Sequence, residues 1–125
     1  NEIILKNMKH VLPDNIKNEV QIGEYITIGS NNIFENGCKI IGPAIIGNNC
    51  TINKDVMIGS NVSIGDNVQI SNCFIENSII MPNCIIDGNF SIKDSIIGKN
   101  SEIISKTIER QTKKFLLGEG TKISL

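Results

Sequence analysis

The stretch IGSNVSIGDNVQI, residues 58–70, places isoleucine at 58, 64 and 70. A spacing of six fits neither the 3.6-residue turn of a helix nor the simple alternation of a hairpin strand. Stepping back by sixes meets Ile52, Ile46, Ile40, Phe34, Ile28 and Ile22. Stepping forward meets Ile75, Ile80, Ile86, Ile92, Ile97 and Ile103, with three of the steps shortened to five. Self-similarity at this period is a hexapeptide repeat, a unit that buries its apolar residue only by stacking on its neighbours.

Two more positions of the unit carry information. Four residues after an anchor stands Ile26, Cys38, Ala44, Cys50, Val56, Val62 or Val68. Strand alternation turns that residue and the next anchor to the same inner side. The slot takes Cys38, Cys50 and Cys84 as packing residues. Three residues after an anchor the chain must turn. In the six-residue units the turn reads Asn31, Gly37, Asn49, Asp55, Asn61, Asn67, Asn83, Asn89 and Asn100, with Tyr25 and Pro43 as exceptions. Asn, Gly and Asp tolerate left-handed backbone angles best. Counted the same way, the short units place Cys73, Ser78 and Ser95 at a tighter corner. Pro43 cannot take a positive φ, so the Gly42-Pro43 corner is expected to deviate.

Three units make one triangular coil, which groups the anchors into columns headed by Ile22, Ile28 and Phe34. The expected fold is all-β, a parallel β-helix of about five coils over residues 22–104, on the order of 20–25 Å tall. Residues 1–21 are expected to supply a short helix, Glu2 to Leu12, and a lead-in. Residues 105–125 are expected to fold back as a cap, because an end coil otherwise exposes strand edges.

Composition excludes several classes. The 125 residues, 27 of them Ile and 17 Asn, suit one domain. Twelve basic against thirteen acidic residues give no electrostatic reason for a nucleic-acid or anionic-membrane partner. No apolar run approaches the ~20 residues of a bilayer span. Nor does a basic-then-apolar leader stand at the front, so the expected location is cytoplasmic. The four cysteines form no C-x-x-C pair and have a single histidine, His10, for company, which suits packing in a reducing compartment rather than zinc.

Candidate chemistry is sparse. A general base must reach the attacking group, and His10 precedes the repeat. Three imidazoles, as carbonic-anhydrase-type hydration requires, are not present. Asp66, Glu76, Asp87 and Asp94 fall at corners or outward positions, where solvation explains them. The Ile-Gly pairs lack phosphate-loop spacing. Lys106, Arg110, Lys113 and Lys114 form the one local charge concentration, read as a solvated turn before a phosphate site. Outward Ile33, Ile45, Met57 and Ile85 are expected on different faces, which permits oligomers without locating an interface. No catalytic, cofactor-binding or metal-ligating residue is assigned to this chain.

The segment ENSIIMPNCIIDG (76–88) followed by SIKDSIIGKN (91–100) resembles the C-terminal left-handed β-helix of sugar-nucleotide pyrophosphorylases. It is most similar to the long-form glucose-1-phosphate thymidylyltransferases. EIILKNMKHVL (2–12) resembles the helix after that family's catalytic domain, and KKFLLGEGTKISL (113–125) resembles its terminal segment. The resemblance implies a left-handed coil, an exception to the usual right-handed crossover. It also implies an N-terminal catalytic domain as partner, where Mg²⁺ assists dTTP and glucose 1-phosphate to form dTDP-glucose. The chain would then be the non-catalytic tail of a longer enzyme, serving assembly, stability or regulation, within a homo-oligomer. A stand-alone hexapeptide acyltransferase using His10 between subunits, a scaffold, and a translation-factor-like regulatory subunit are the other readings.

Overall fold

The computed structural model describes residues 20–106 and 111–124. The Glu2–Leu12 helix, His10 and Arg110 lie outside them. Among the described residues, eighteen short strands wind into six coils. Coil one carries β1 (Gln21–Ile22), β2 (Ile26–Ile28) and β3 (Ile33–Phe34); coil two carries β4 (Lys39–Ile40), β5 (Ala44–Ile46) and β6 (Thr51–Ile52). Coil three has β7 (Met57–Ile58), β8 (Val62–Ile64) and β9 (Gln69–Ser71); coil four has β10 (Phe74–Glu76), β11 (Ile79–Ile80) and β12 (Ile85–Asp87). In coil five stand β13 (Phe90–Lys93), β14 (Ile96–Ile97) and β15 (Glu102–Ile104). Coil six closes the run with β16 (Gln111–Lys113), β17 (Leu116–Leu117) and β18 (Lys122–Ser124).

Every third strand pairs, so the coils form three six-stranded parallel sheets, headed by β1, β2 and β3. The register puts anchor on anchor. Ile22, Ile40, Ile58, Ile75 and Ile92 align down the first face. Ile28, Ile46, Ile64, Ile80 and Ile97 align down the second, and Phe34, Ile52, Ile70, Ile86 and Ile103 down the third. Apart from the partly buried Ile22, all of these are buried, and their packing on one another is what makes the stack cooperative. The columns agree with the six-residue reading.

The coil count does not. Residues 111–124 continue the stack as a sixth coil instead of folding back, with Leu117 on Ile97 and Ile123 on Ile103. Lys113 takes the place above Ile92. The repeat is invisible there because the spacing after Ile103 departs from six and a lysine stands in an anchor column.

Corners bear out the left-handed requirement. Asn31, Gly37, Asn49, Asp55, Asn61, Asn67, Asn83 and Asn100 all have positive φ. Tyr25 adopts the same angle, φ 60°, although its type gives no hint of it. At the deviant corner Gly42 takes the positive φ and the Gly42-Pro43 bond is cis. At the corner that follows β12, Gly88 rather than Asn89 has the positive φ.

The short units correct a further expectation. Their left-handed residues are Asn72, Asn77 and Asp94, two positions after the anchor. Cys73, Ser78 and Ser95 therefore leave the corner and point inward, where each is buried. Dropping one corner residue moves the inner slot one place earlier. The two buried hydroxyls are satisfied by the backbone: Ser78 Oγ donates to Glu76 O at 2.8 Å and accepts from Ser95 N at 3.0 Å. Ser95 Oγ donates to Lys93 O at 2.7 Å and accepts from Phe115 N at 2.8 Å, which ties coil six to coil five.

Candidate functional site

The described residues bring no histidine to the prism, and the carboxylates stay dispersed. Asp66 is exposed at a corner, where its Oδ1 accepts from Asn48 N at 2.8 Å. Glu76 pairs with Lys93 across coils at 3.3 Å. Asp94 accepts from Asn77 Nδ2 at 2.6 Å and lies 3.6 Å from Lys114 Nζ. The Asn77 hydrogen bond, helped by Lys114, holds the Asp94 carboxyl below the usual carboxylate range. Asp87 is exposed on the third face. Each of these carboxylates is on a different coil or corner. A pair acting on one substrate would have to converge.

The basic cluster is divided as well. Lys106 is exposed, Lys113 is half-buried in the anchor column, and Lys114 is engaged by Asp94. A group of three or more His, Cys, Asp and Glu able to hold a metal does not occur among the described residues. Shallow depressions mark the surface of the described residues. One, of about 270 Å³, lies along Gln21–Gly23 and Lys39–Ile41. Another, of about 360 Å³, is bordered by Ile33, Glu35, Asn36 and Lys54. Neither gathers a nucleophile with a base.

All four cysteines point into the core. Cys50, Cys73 and Cys84 each donate to a carbonyl of the next coil, Gly65 O, Gly88 O and Gly98 O, at 3.1–3.2 Å. Burial pushes the thiols of Cys50 and Cys84 up, and that of Cys38 up to about 11. Thiols in such surroundings stay protonated and inert at neutral pH. One inner position escaped sequence reading altogether. Asn32, fully buried, donates to Gly47 O at 2.8 Å and accepts from Cys50 N at 2.7 Å. Its type signals a corner, and only the six-residue count would have placed it inside.

What the fold does assemble is a face. Reading the residue before each second-column anchor gives Thr27, Ile45, Ser63, Ile79, Ile96 and Leu116, which stand in register on the outside of the second sheet. Ile79, Ile96 and Leu116 are exposed, by 44%, 40% and 83%. The outward isoleucines are thus not wholly scattered: Ile33 and Ile85 sit on the third face and Met57 on the first, but Ile45 belongs to this stripe. Among the described residues, no strand of this face carries an ionisable side chain.

Comparison with family models matches the GMPPB C-terminal domain over residues 40–124 of the 125. The chain belongs to this family. The matched range begins in the second coil and runs to the end of the sixth, so the family unit includes the last coil that the repeat alone conceals. This is a nucleotidyltransferase C-terminal β-helix domain. Comparison with curated proteins returns no match. Among the described residues, no helix is long and apolar enough to cross a membrane.

Proposed function

We propose that this GMPPB C-terminal domain is a non-catalytic assembly and stability module of a sugar-nucleotide-forming nucleotidyltransferase. The observation that carries the reading is the family match over residues 40–124. It fits a prism whose interior is filled by stacked side chains. It also fits carboxylates and lysines spread over strands and corners in separate pairs. In the parent protein a separate catalytic domain would join a nucleoside triphosphate to a sugar 1-phosphate, releasing pyrophosphate, with Mg²⁺ bound in that domain. The pair favoured by the sequence resemblance is dTTP and glucose 1-phosphate. The β-helix would position that domain and link it into an oligomer.

Turnover measurements test this. Residues 1–125 alone should release no pyrophosphate from dTTP and glucose 1-phosphate, or from other nucleoside triphosphates and hexose 1-phosphates. The protein encoded by the whole gene should do so with one such pair. Pyrophosphate release by the 125-residue chain itself would overturn the reading.

A further inference from the structure

We propose that one corner of the prism, where the first face meets the second in coils one and two, seats the protein body that precedes β1 in the same polypeptide. This rests on the reading above for the identity of that body, the catalytic domain, and specifies where the prism holds it. Tyr25 and Pro43 are the two residues that break the run of Asn, Gly and Asp at the corners of the six-residue units. The fold brings both exceptions to one place. Ile26 pairs with Ala44, so Tyr25 stands on Pro43, with Ala44 N donating to Tyr25 O at 3.2 Å. Further along the same corner stand Asn61, Asn77, Asp94 and Lys114. The corner is apolar in the first two coils and polar in the rest.

The apolar part is open to solvent. Tyr25 and Ile41 are 38% and 41% exposed, and Pro43 is exposed as well. Ile41 stands where the neighbouring coils have Gly23 and Gly59. Tyr25 also takes φ 60°, an angle that disfavours a bulky side chain and suits the asparagine of other corners. A residue kept at such an angle without burial points to a contact made elsewhere than in the prism. Beside it runs the depression of about 270 Å³ along Gln21–Gly23 and Lys39–Ile41, with half-buried Ile22 in its lining.

Position, size and charge choose the occupant. The patch lies on the coils where the chain enters the prism at β1, so a body carried before β1 is tethered close by and meets it at high effective concentration. Three exposed side chains and a shallow depression fall far below the area that a stable complex between free proteins buries, and a tethered contact needs no more. Exposed Glu24 and Lys39 flank the patch, one of each sign, so there is no field to collect phosphate groups. A catalytic domain seated here is fixed in orientation relative to the prism axis instead of swinging on its connection.

Thiol labelling tests the proposal, comparing the 125-residue chain with the protein encoded by the whole gene. The four native cysteines are buried and react slowly, which leaves an introduced thiol as the reporter. Ile41→Cys should be labelled quickly in the 125-residue chain and about tenfold more slowly in the whole protein. Gln69→Cys, exposed on the third face, should be labelled at one rate in both. Adding Tyr25→Asn to Ile41→Cys relieves the backbone angle, so the Tm of the 125-residue chain should not fall. In the whole protein the same addition should speed labelling towards the rate of the isolated chain. Equal labelling of Ile41→Cys in the two forms would overturn the docking and leave the nucleotidyltransferase reading standing. Protection that disappears on dilution of the whole protein would mean that another molecule covers the corner, and would overturn it too. Protection in a whole protein that releases no pyrophosphate from any nucleoside triphosphate and hexose 1-phosphate would support the contact and overturn the identity given to the body before β1.

Discussion

Coils two and three, residues 39–71, and coil six, residues 111–124, adopt one conformation by different means. The first pair repeats every six residues, turns on Asn49, Asp55, Asn61 and Asn67 with positive φ, and buries each anchor completely. The last coil has irregular spacing, a lysine in one anchor column, and half-buried Phe115, Leu117 and Ile123. In the middle, the local pattern dictates the coil. At the end, the coil below dictates it. Coil five presents Ile96 N, Gly98 N and Glu102 N, which donate to Phe115 O, Leu117 O and Thr121 O at 2.8–2.9 Å, and Ser95 Oγ accepts Phe115 N. Phe115 also sets its ring edge-on to Phe90, with centroids 6.5 Å apart. A regular stack thus serves as template for a sequence that lacks the repeat.

The sharpest way to break the comparison is to cut an anchor in each region. Ile64→Ala, in the middle of a column, should destabilise the fold by about 2–5 kcal/mol through the cavity it leaves. Ile123→Ala, half-buried in the last coil, should cost about 1 kcal/mol, because less apolar area is lost. Chemical denaturation of both variants measures the gap. Equal losses would mean that the end coil is packed as deeply as the middle.

A smaller effect tests the polar member of the core. Asn32→Ala leaves Gly47 O and Cys50 N buried without their partner, which should cost about 1–3 kcal/mol. Smaller again is the corner effect. Asn67→Ala puts an ordinary side chain at φ 58°, and should cost on the order of 1 kcal/mol in the same denaturation assay. Asn67→Gly should be nearly neutral, which would locate the cost in backbone angle rather than in a lost contact.

Thiol titration gives the subtlest comparison. The folded-state pKa of Cys38 is raised by burial from 9.0 to about 11. A thiol whose pKa is raised binds its proton more tightly in the fold than in the unfolded chain. Its contribution to stability is therefore complete below about pH 9 and is lost as pH rises towards 11. Cys38→Ala should flatten that part of the stability-versus-pH curve. Native protein at pH 7 should react slowly with thiol reagents, and all four cysteines should react once it is unfolded.

Legibility followed the same division. Anchor columns, most inner slots and eight left-handed corners were readable, because residue type and geometry coincide there. Tyr25 was not, since an aromatic side chain carries no sign of a positive φ. Fixed counting from the anchor puts Cys73, Ser78 and Ser95 at corners, and it fails when a unit loses one residue. Asn32 is not legible as an inner residue, because its amide is satisfied inside by two backbone groups that sequence does not reveal. The apolar face had a signal, the residue preceding each second-column anchor. It becomes visible only when coil six is counted, since Leu116 is its most exposed member. His10 and Arg110 lie outside the described residues.

The six-coil architecture depends on residues 111–124 completing the prism. Amide hydrogen exchange on the intact chain tests this most directly, at Ile96, Gly98 and Glu102. These amides should exchange as slowly as Met81 N and Ile85 N, which donate to coil five at 3.0 Å. Fast exchange at all three, with Met81 and Ile85 protected, would show that the stack ends at coil five and would contradict the account.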